Sequence, residues 1–462
     1  MNKVNFVTLI PISLMLFGCG GAATTTTPVS YELHTPTAVN SSSLSPTGTP
    51  GSDIASNDYP GYWFIDFNSH STYPYTSDTV SKGDYGWSDQ HLVDTQAYTA
   101  WDQGWTGQGQ NVAIIDDFSS ANIDMRQSVT VERKTVNSYN GLTATWDVTY
   151  YADESVSHGA LVSNIAGGDG TVPFVSMTKN MGVNSVALTD CVDSSNQTSS
   201  SCSGLSSYQK RVLFRESSAT VSYWKIPGVA KDALIANHSV DLSSNQNALQ
   251  TFKAIQGHMD NSSDFAAINL SIGFNIPTSG MTLKNIADEV SAESILTKKT
   301  DAVVVIALGN SGAPCGSADL QGCNALAVAA TVMPQLKSSV IVVGALEGTG
   351  ASEQVASYST RPGILANRAL MANGTTGDLS PSGSKIQGTS FAAPRVTGAA
   401  ALLRHKFPNL SGEQAASILL LTASKDINND GIADFSGASS IYGQGKLDML
   451  KALSPVGSLA IQ

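Results

Sequence analysis

The sequence predicts an α/β fold in three layers, with a mostly parallel twisted sheet covered by helices on both faces. Two observations predict it. Short apolar runs of strand length recur along the chain, and stretches with the helical spacing of apolar residues lie between them. This alternation favours a parallel sheet, because a parallel connection needs a crossover that a helix supplies.

The elements follow in order along the chain. The first core strand, residues 111–115, ends at Asp116 and Asp117, and a short helix then opens with His158. The carboxyl ends of strands carry the functional groups in open α/β sheets, so these side chains are candidates for a site. The remaining predicted strands are residues 228–236, 266–273, 302–308 and 340–345, and the remaining predicted helices are residues 246–259 and 283–296.

Composition limits the class of protein. A chain of 462 residues with 41% apolar residues can bury a core in one large or two ordinary domains. Its net charge of −12 argues against a nucleic-acid partner, which would need a basic surface.

The first residues resemble a bacterial lipoprotein signal. A basic start at Lys3 precedes an apolar run over residues 6–17, which is too short to span a bilayer comfortably and leads to Cys19. The resemblance implies a signal peptide over residues 1–18 and acylation of Cys19. It also implies that the protein is anchored on the bacterial cell envelope or surface, with the outer membrane as the favoured location. The alternative is an ordinary secretory signal with an incidental cysteine.

Composition also divides the rest of the chain. Residues 19–58 are rich in Thr, Ser and Pro, which predicts a flexible stalk. Aromatic residues become frequent from Tyr59, so we expect residues 59–105 to pack on the main domain as a lead-in. The main domain is expected over residues 106–455, with a polar insertion at about 168–227.

The four cysteines after Cys19 permit three pairings. In an exported chain, the short separations favour the disulfides Cys191–Cys202 and Cys315–Cys323. Metal binding is the competing interpretation, but no Cys-x-x-Cys spacing supports it.

A serine lies where a loop becomes a helix, in Gly388-Thr389-Ser390-Phe391-Ala392-Ala393-Pro394. We expect Pro394 in the first turn, where backbone N–H groups need no partner within the helix. Ser390 by itself can be a helix cap. The free N–H groups of a helix start also favour developing negative charge, which suits a nucleophile.

Nucleophilic acyl transfer needs a hydroxyl, an imidazole, a carboxylate and donors for an oxyanion. The chain supplies these as Asp116, His158, Asn310 and Ser390, in that order. Each has an ordinary structural interpretation as a cap, an exposed or structural histidine, or a turn residue. It is the set of four that predicts a hydrolase.

With their flanking residues these positions resemble the subtilisin-like serine peptidases over residues 106–453. The serine stretch and the ending at Tyr442-Gly443-Gln444-Gly445-Lys446-Leu447-Asp448 resemble autotransporter passenger peptidases in particular. The other matching stretches are Val112-Ala113-Ile114-Ile115-Asp116, His158-Gly159, Asn269-Leu270-Ser271-Ile272-Gly273 and Ala307-Leu308-Gly309-Asn310-Ser311-Gly312.

The resemblance implies a role for each residue. Ser390 attacks a peptide carbonyl, His158 carries the proton, Asp116 orients the imidazole, and Asn310 binds the oxyanion. Ser271, Ile272 and Gly273 pair with an extended polypeptide substrate as an added strand. We expect a monomer, with no cofactor required for catalysis.

One departure from the family pattern puts activity in question. The family usually has a small hydroxyl residue and then glycine after the aspartate, and this chain has Asp117-Phe118. A second carboxylate there can disturb the imidazole contact. The rival hypothesis is a catalytically silent binding protein on the same fold, and a weaker rival is an esterase using the same residues.

A loop near the C-terminus resembles a calcium site. Residues 426–434 alternate oxygen-bearing side chains around Gly431, as Ca²⁺ loops do. The expected ligands of a structural Ca²⁺ are Asp426, Asn428, Asp430 and Asp434, and the alternative is a solvated turn.

Overall fold

The computed structural model describes the parts of the chain that form the core and the candidate site. The described residues are residue 92, residues 94–118, 157–168, 228–240, 248–260, 264–276, 279–292, 300–316, 319–375 and 386–454, residues 35–36 and 47–48, and the backbone of the strands given next. The predicted signal lies outside them, as do Cys19, Cys191 and Cys202.

Strands and helices alternate through most of the described chain. The strands are β1 (Val39–Asn40), β2 (Asn111–Asp116), β3 (Ile123–Asp124), β4 (Gln127–Val136), β5 (Ala144–Ala152), β6 (Ser155–Val156), β7 (Val175–Val183), β8 (Ser222–Trp224), β9 (Leu234–Ser239), β10 (Ala267–Leu270), β11 (Val303–Ala307), β12 (Val340–Glu347), β13 (Gln354–Val355), β14 (Ala369–Asn373) and β15 (Ser458–Leu459). The helices are α1 (Ala97–Asp102), α2 (His158–Ala166), α3 (Ala248–Asp260), α4 (Leu283–Ala292), α5 (Ala325–Val332), α6 (Thr389–Lys406), α7 (Gly412–Leu421) and α8 (Met449–Leu453).

A seven-stranded sheet forms the centre of the described part of the chain. Its order is β13-β12-β11-β10-β2-β9, and β14 also pairs with β12. Every pair in it is parallel except β12 with β13. The predicted mostly parallel sheet is therefore confirmed.

The sheet is covered on both faces, which explains the continuous apolar runs in the sequence. Val303 and Val305 belong to one apolar cluster, with residues of α2, α6 and α7, whereas Val304 and Ile306 belong to the other, with residues of α3, α4 and α5. Successive side chains of a strand point to opposite faces, so one strand supplies both clusters. This arrangement confirms the predicted three layers.

A second, antiparallel sheet of four strands was not predicted from the sequence. Its order is β4-β5-β7-β8, and β7 and β8 fall within the predicted insertion at 168–227. Thr recurs in these segments, and charged residues such as Glu132, Arg133 and Asp147 interrupt the apolar ones, so they lack the apolar run by which the core strands were found.

The segment before the first core strand packs on α6 and its neighbours. Trp101 Nε1 donates a hydrogen bond of 3.0 Å to the carbonyl of Val229. A carboxylate oxygen of Asp94 lies 3.6 Å from the guanidinium of Arg395, in α6. The described lead-in residues are thus tied to the main domain by both polar and apolar contacts.

Candidate active site

Three neighbouring strands of the sheet end beside one another and present polar residues. β2 ends at Asp116, β10 leads into Ser271, and β11 leads into Asn310. Because β10 pairs with both β2 and β11, these residues share the carboxyl edge of the sheet. Two helices, α2 and α6, start at the same edge with His158 and with Thr389 and Ser390.

The structure brings Asp116 and His158 together. Oδ1 of Asp116 lies 2.6 Å from Nδ1 of His158, and the Asp116 side chain is fully buried. The backbone N–H of Asp117 donates to the same oxygen at 2.7 Å. This geometry leaves Nε2 as the nitrogen of His158 that faces away from the carboxylate.

The charges around His158 favour its protonated form. Burial opposes a charge on the ring, but the attraction of Asp116, the hydrogen bond to it and the charge of Asp117 outweigh burial, so the pKa of His158 is raised above its usual 6.5. The imidazolium that forms when a histidine accepts a proton is stabilised in the same way.

Ser390 is the second residue of α6. It is 3% exposed, and its Oγ donates a hydrogen bond of 3.1 Å to the carbonyl of Ser271. The ring of the next residue, Phe391, lies 5.6 Å from the ring of His158, centroid to centroid. This contact places the start of α6 beside the imidazole.

The position of Pro394 differs from the prediction. α6 begins at Thr389, so Pro394 is its sixth residue and lies beyond the first turn. In an α-helix the N–H of residue 394 would bond to the carbonyl of Ser390, and proline has no N–H. Ser271 Oγ donates to that carbonyl instead, at 2.8 Å.

Asn310 is held by the residue before the serine. Its Oδ1 accepts hydrogen bonds from the backbone N–H of Thr389 at 2.9 Å and from Thr389 Oγ1 at 3.1 Å. Thr389 Oγ1 also accepts from the N–H of Gly309, at 3.1 Å. With Oδ1 committed to Thr389, the Nδ2 amide is directed away from it and can donate to an incoming oxygen.

Comparison with known proteins decides the family. The subtilase family model matches residues 107–445. The chain belongs to the subtilase family. Asp116, His158, Asn310 and Ser390 all lie within the matched residues.

Individual relatives match shorter stretches. Subtilisin DY of Bacillus licheniformis is 33% identical over 185 residues, which are 39% of this chain and 54% of that protein. Subtilisin E of Bacillus subtilis (strain 168) is 30% identical over 207 residues, which are 43% of this chain and 42% of that protein. The chain therefore spans about half the length of the curated relatives that it matches.

Among solved structures, the MycP3 protease from the type VII (ESX-3) secretion system is similar to this chain. The alignment covers 89% of this chain and 99% of that one, with 18% identity and a TM-score of 0.44.

The Asp117-Phe118 turn departs from the usual subtilase pattern without breaking the contact between Asp116 and His158. The carbonyl of Asp117 accepts the N–H of Gly159 at 2.9 Å. A side chain at Gly159 would come within 2.9 Å of the Phe118 ring. The turn thus packs on the start of α2 and leaves His158 on Asp116.

Asn324 is a site residue that the sequence reasoning missed. Its Nδ2 donates to the carbonyl of Ala307 at 2.7 Å, and its Oδ1 accepts from the N–H of Leu326, at the start of α5. A Cβ at Gly273 would lie 2.2 Å from this amide. Asn324 therefore links the last residue of β11 to the segment that follows β10. An Asn directly before the apolar run of residues 325–332 is a helix-start signal that could have identified it.

The predicted Cys315–Cys323 disulfide is present and lies beside Asn324. Its Cα atoms are 5.2 Å apart, and both cysteines are buried. It ties the segment after Asn310 to the residue before Asn324. The other predicted pair, Cys191–Cys202, falls outside the described residues.

The carboxylates of the predicted calcium loop bond to the backbone of the loop itself. Asp426 accepts the N–H groups of Asp430, at 3.1 Å, and Gly431, at 2.9 Å, and Asp434 accepts the N–H of Ile427 at 2.8 Å. Within the described chain no three or more His, Cys, Asp or Glu side chains are gathered as a metal ion would require.

Proposed function

We propose that this subtilase is an exported serine endopeptidase in which Asp116, His158 and Ser390 form the catalytic triad. The observation that carries the proposal is the 2.6 Å contact between Asp116 and His158 at the strand edge where α6 presents Ser390. An imidazole with one nitrogen on a buried carboxylate is the arrangement that a general base for a serine requires.

In the proposed mechanism, the Ser390 hydroxyl first gives up its hydrogen bond to the Ser271 carbonyl. Ser390 Oγ then attacks the peptide carbonyl while its proton passes to Nε2 of His158. Asp116 keeps the proton of His158 on Nδ1, which makes Nε2 the base, and it stabilises the imidazolium. His158 then protonates the leaving amine, and water resolves the acyl-enzyme by the same steps.

The oxyanion of the tetrahedral intermediate is bound by two donors in this proposal. One is Nδ2 of Asn310, which is aimed by the bonds of its Oδ1 to Thr389. The other is the backbone N–H of Ser390, at the positive end of α6. Both donors are fixed before the substrate arrives, so they need no reorganisation during the reaction.

The substrate is proposed to be an extended polypeptide. Ser271, Ile272 and Gly273 follow a buried parallel strand, so a peptide backbone can add beside them as a further strand. Main-chain hydrogen bonds would then give affinity, and side-chain pockets would give preference.

A fluorophosphonate probe tests the proposed activity. We expect wild type to be labelled and the Ser390→Ala and His158→Ala variants to remain unlabelled, with hydrolysis of casein following the same order. Absence of labelling in folded wild-type protein would instead support a catalytically silent binding protein. Hydrolysis of small acyl esters without cleavage of casein would indicate an esterase.

We also propose that the protein is a monomer. We further propose that a lipid at Cys19 anchors it on the bacterial cell envelope, and what supports this anchor is the sequence of the first 19 residues. In the part of the chain that the structure describes, no helix combines the length and apolar character needed to cross a bilayer. Incorporation of a labelled fatty acid into wild type, but not into Cys19→Ser, would support this anchor, and equal incorporation would contradict it.

A structural Ca²⁺ held by Asp426, Asn428, Asp430 and Asp434 remains a proposal. What supports it is the chemistry of the donors, since oxygen ligands on a short loop suit this cation. Calorimetry tests it: EDTA should lower the melting temperature of wild type and leave that of Asp430→Ala unchanged. An unchanged melting temperature of wild type would refute it.

A further inference from the structure

The proline in α6 leaves the nucleophile's carbonyl in need of a donor. Residue 394, which would donate to the Ser390 carbonyl in a regular helix, is proline. Ser390 is 3% exposed, so water is largely excluded. Buried backbone carbonyls are nearly always hydrogen-bonded, and this one bonds to a side chain of another element.

Ser271 supplies that donor from the end of β10. Its Oγ is 2.8 Å from the Ser390 carbonyl, and its own carbonyl accepts from Ser390 Oγ at 3.1 Å. The two serines are therefore joined by two reciprocal hydrogen bonds. The peptide unit that follows the nucleophile is held by the same residue that is proposed to pair with the substrate.

Two further side chains set the direction of the Ser271 hydroxyl. A hydroxyl has one proton, so while Ser271 Oγ donates to the Ser390 carbonyl, any other hydrogen bond that it makes must be accepted. Nδ2 of Asn269 donates to it at 2.9 Å, and Thr397 Oγ1 donates to Oδ1 of Asn269 at 2.9 Å. Every donor in this chain of bonds is directed toward the Ser390 carbonyl, and successive bonds of this kind strengthen one another.

The burial of these polar groups is itself informative. Asn269 and Thr397 are 0% exposed, and Asn269 lies on β10, between the strands that carry Asp116 and lead to Asn310. Apolar side chains are the norm on a central parallel strand, where an amide gains nothing from burial unless it is fully bonded.

We propose that Asn269 and Thr397 are positioning residues of the peptidase reaction, acting through Ser271 to fix the first turn of α6 against the substrate-pairing segment. The inference rests on the proposed peptidase function. A small rotation of that turn would displace Ser390 Oγ and the oxyanion N–H relative to the scissile carbonyl. A displacement of about 1 Å costs about 10²-fold in rate.

A threonine series separates positioning from packing. Thr397→Val removes the hydroxyl at nearly constant volume, and Thr397→Ser keeps the hydroxyl and removes only the methyl group. Thr422→Val is the matched control, because Thr422 is also buried and its hydroxyl donates one turn back, to the Ile418 carbonyl at 2.7 Å. The Thr397 hydroxyl lies 3.1 Å from the corresponding Ala393 carbonyl, but its single proton is assigned to the nearer acceptor, Oδ1 of Asn269 at 2.9 Å.

The kinetic expectation is a loss in kcat. With a peptide anilide substrate, Thr397→Val should lower kcat about tenfold and change KM by less than about twofold. The reason is that the variant displaces groups that act in the transition state and leaves the binding of the substrate unchanged. Thr397→Ser and Thr422→Val should stay within about twofold of wild type in both constants. An unchanged kcat in Thr397→Val, or equal losses in the Val and Ser variants of Thr397, would overturn the proposal.

A second variant tests the direction of the chain of bonds. In Asn269→Asp both carboxylate oxygens are acceptors, so the Ser271 hydroxyl turns toward the new carboxylate and leaves the Ser390 carbonyl without its donor. We expect a larger fall in kcat than in Thr397→Val. If the kcat of Asn269→Asp were equal to or higher than that of Thr397→Val, the direction of hydrogen-bond donation would not matter for catalysis, and the proposal would be wrong.

The outcome can be told apart from failure of the proposed function. If the fluorophosphonate does not label folded wild type, the peptidase proposal fails. Amide hydrogen exchange of the peptide over residues 388–393 then decides the structural part: Thr397→Val and Asn269→Asp should exchange faster, and Thr397→Ser and Thr422→Val should match wild type. Equal exchange in all five proteins would refute it.

Discussion

Replacing Arg395 with methionine should destabilise the protein strongly, because this arginine is buried in α6 with its charge. Its side chain is 0% exposed. The guanidinium donates to the carbonyls of Phe391 and Thr375, both at 2.6 Å, and lies 3.6 Å from the Asp94 carboxylate. Methionine would fill most of the volume and leave two carbonyls and a carboxylate without this donor.

The size of the effect follows from burial. Removing one partner of a buried ion pair costs about 3–5 kcal/mol, because the desolvated partner remains. Unfolding entropy is about 2.1 cal/mol/K per residue, which gives about 0.7 kcal/mol/K for the roughly 340 residues of the family match. The melting temperature of Arg395→Met should therefore fall by about 4–7 °C.

Arg404 provides a matched control on the same helix. It lies 3.0 Å from Asp301, but the Asp301 side chain is 58% exposed. Exposed ion pairs contribute about 0–1 kcal/mol, so Arg404→Met should lower the melting temperature by no more than about 1.5 °C. Differential scanning calorimetry of both variants measures the comparison. If Arg395→Met melted within about 1.5 °C of wild type, the burial of Arg395 would not determine the stability lost when its contact with Asp94 is removed, and the reasoning would be refuted.

Three further predictions concern the site. Asn310→Ala should lower kcat about 10²–10³-fold with little change in KM, a magnitude taken from loss of the equivalent donor in a subtilisin. Asp117→Asn should lower the pKa of His158, because the Asp117 charge helps to raise it, and should move the acid limb of the kcat/KM profile to lower pH. Replacing Cys315 and Cys323 together with serine should cost about 2.5 kcal/mol of unfolding free energy, from the short loop that the disulfide closes.

Each of these predictions has an outcome that contradicts it. A rise in KM with unchanged kcat in Asn310→Ala would show a ground-state contact rather than oxyanion binding. A profile of Asp117→Asn shifted to higher pH would reverse the sign of the electrostatic argument. For the cysteines, equal denaturation midpoints of wild type and the double variant would mean that the disulfide adds no stability.

The fold class followed from local pattern because a sheet buried on both faces needs apolar residues at most positions of its strands. Residues 303–307 show this, since five apolar side chains in a row supply both core clusters. The antiparallel strands between Gln127 and Trp224 have no such run, and they were missed.

The sequence by itself also determined the order and chemical types of Asp116, His158, Asn310 and Ser390, because each belongs to a short motif. It could not place Pro394, since Thr389, where α6 starts, is bonded to Asn310 from the segment that follows β11. Nor could it give the role of Arg395 or the chain of bonds from Thr397 to the Ser390 carbonyl. Those roles arise from hydrogen bonds between residues up to 128 positions apart, which only the packing of α6 against the sheet creates.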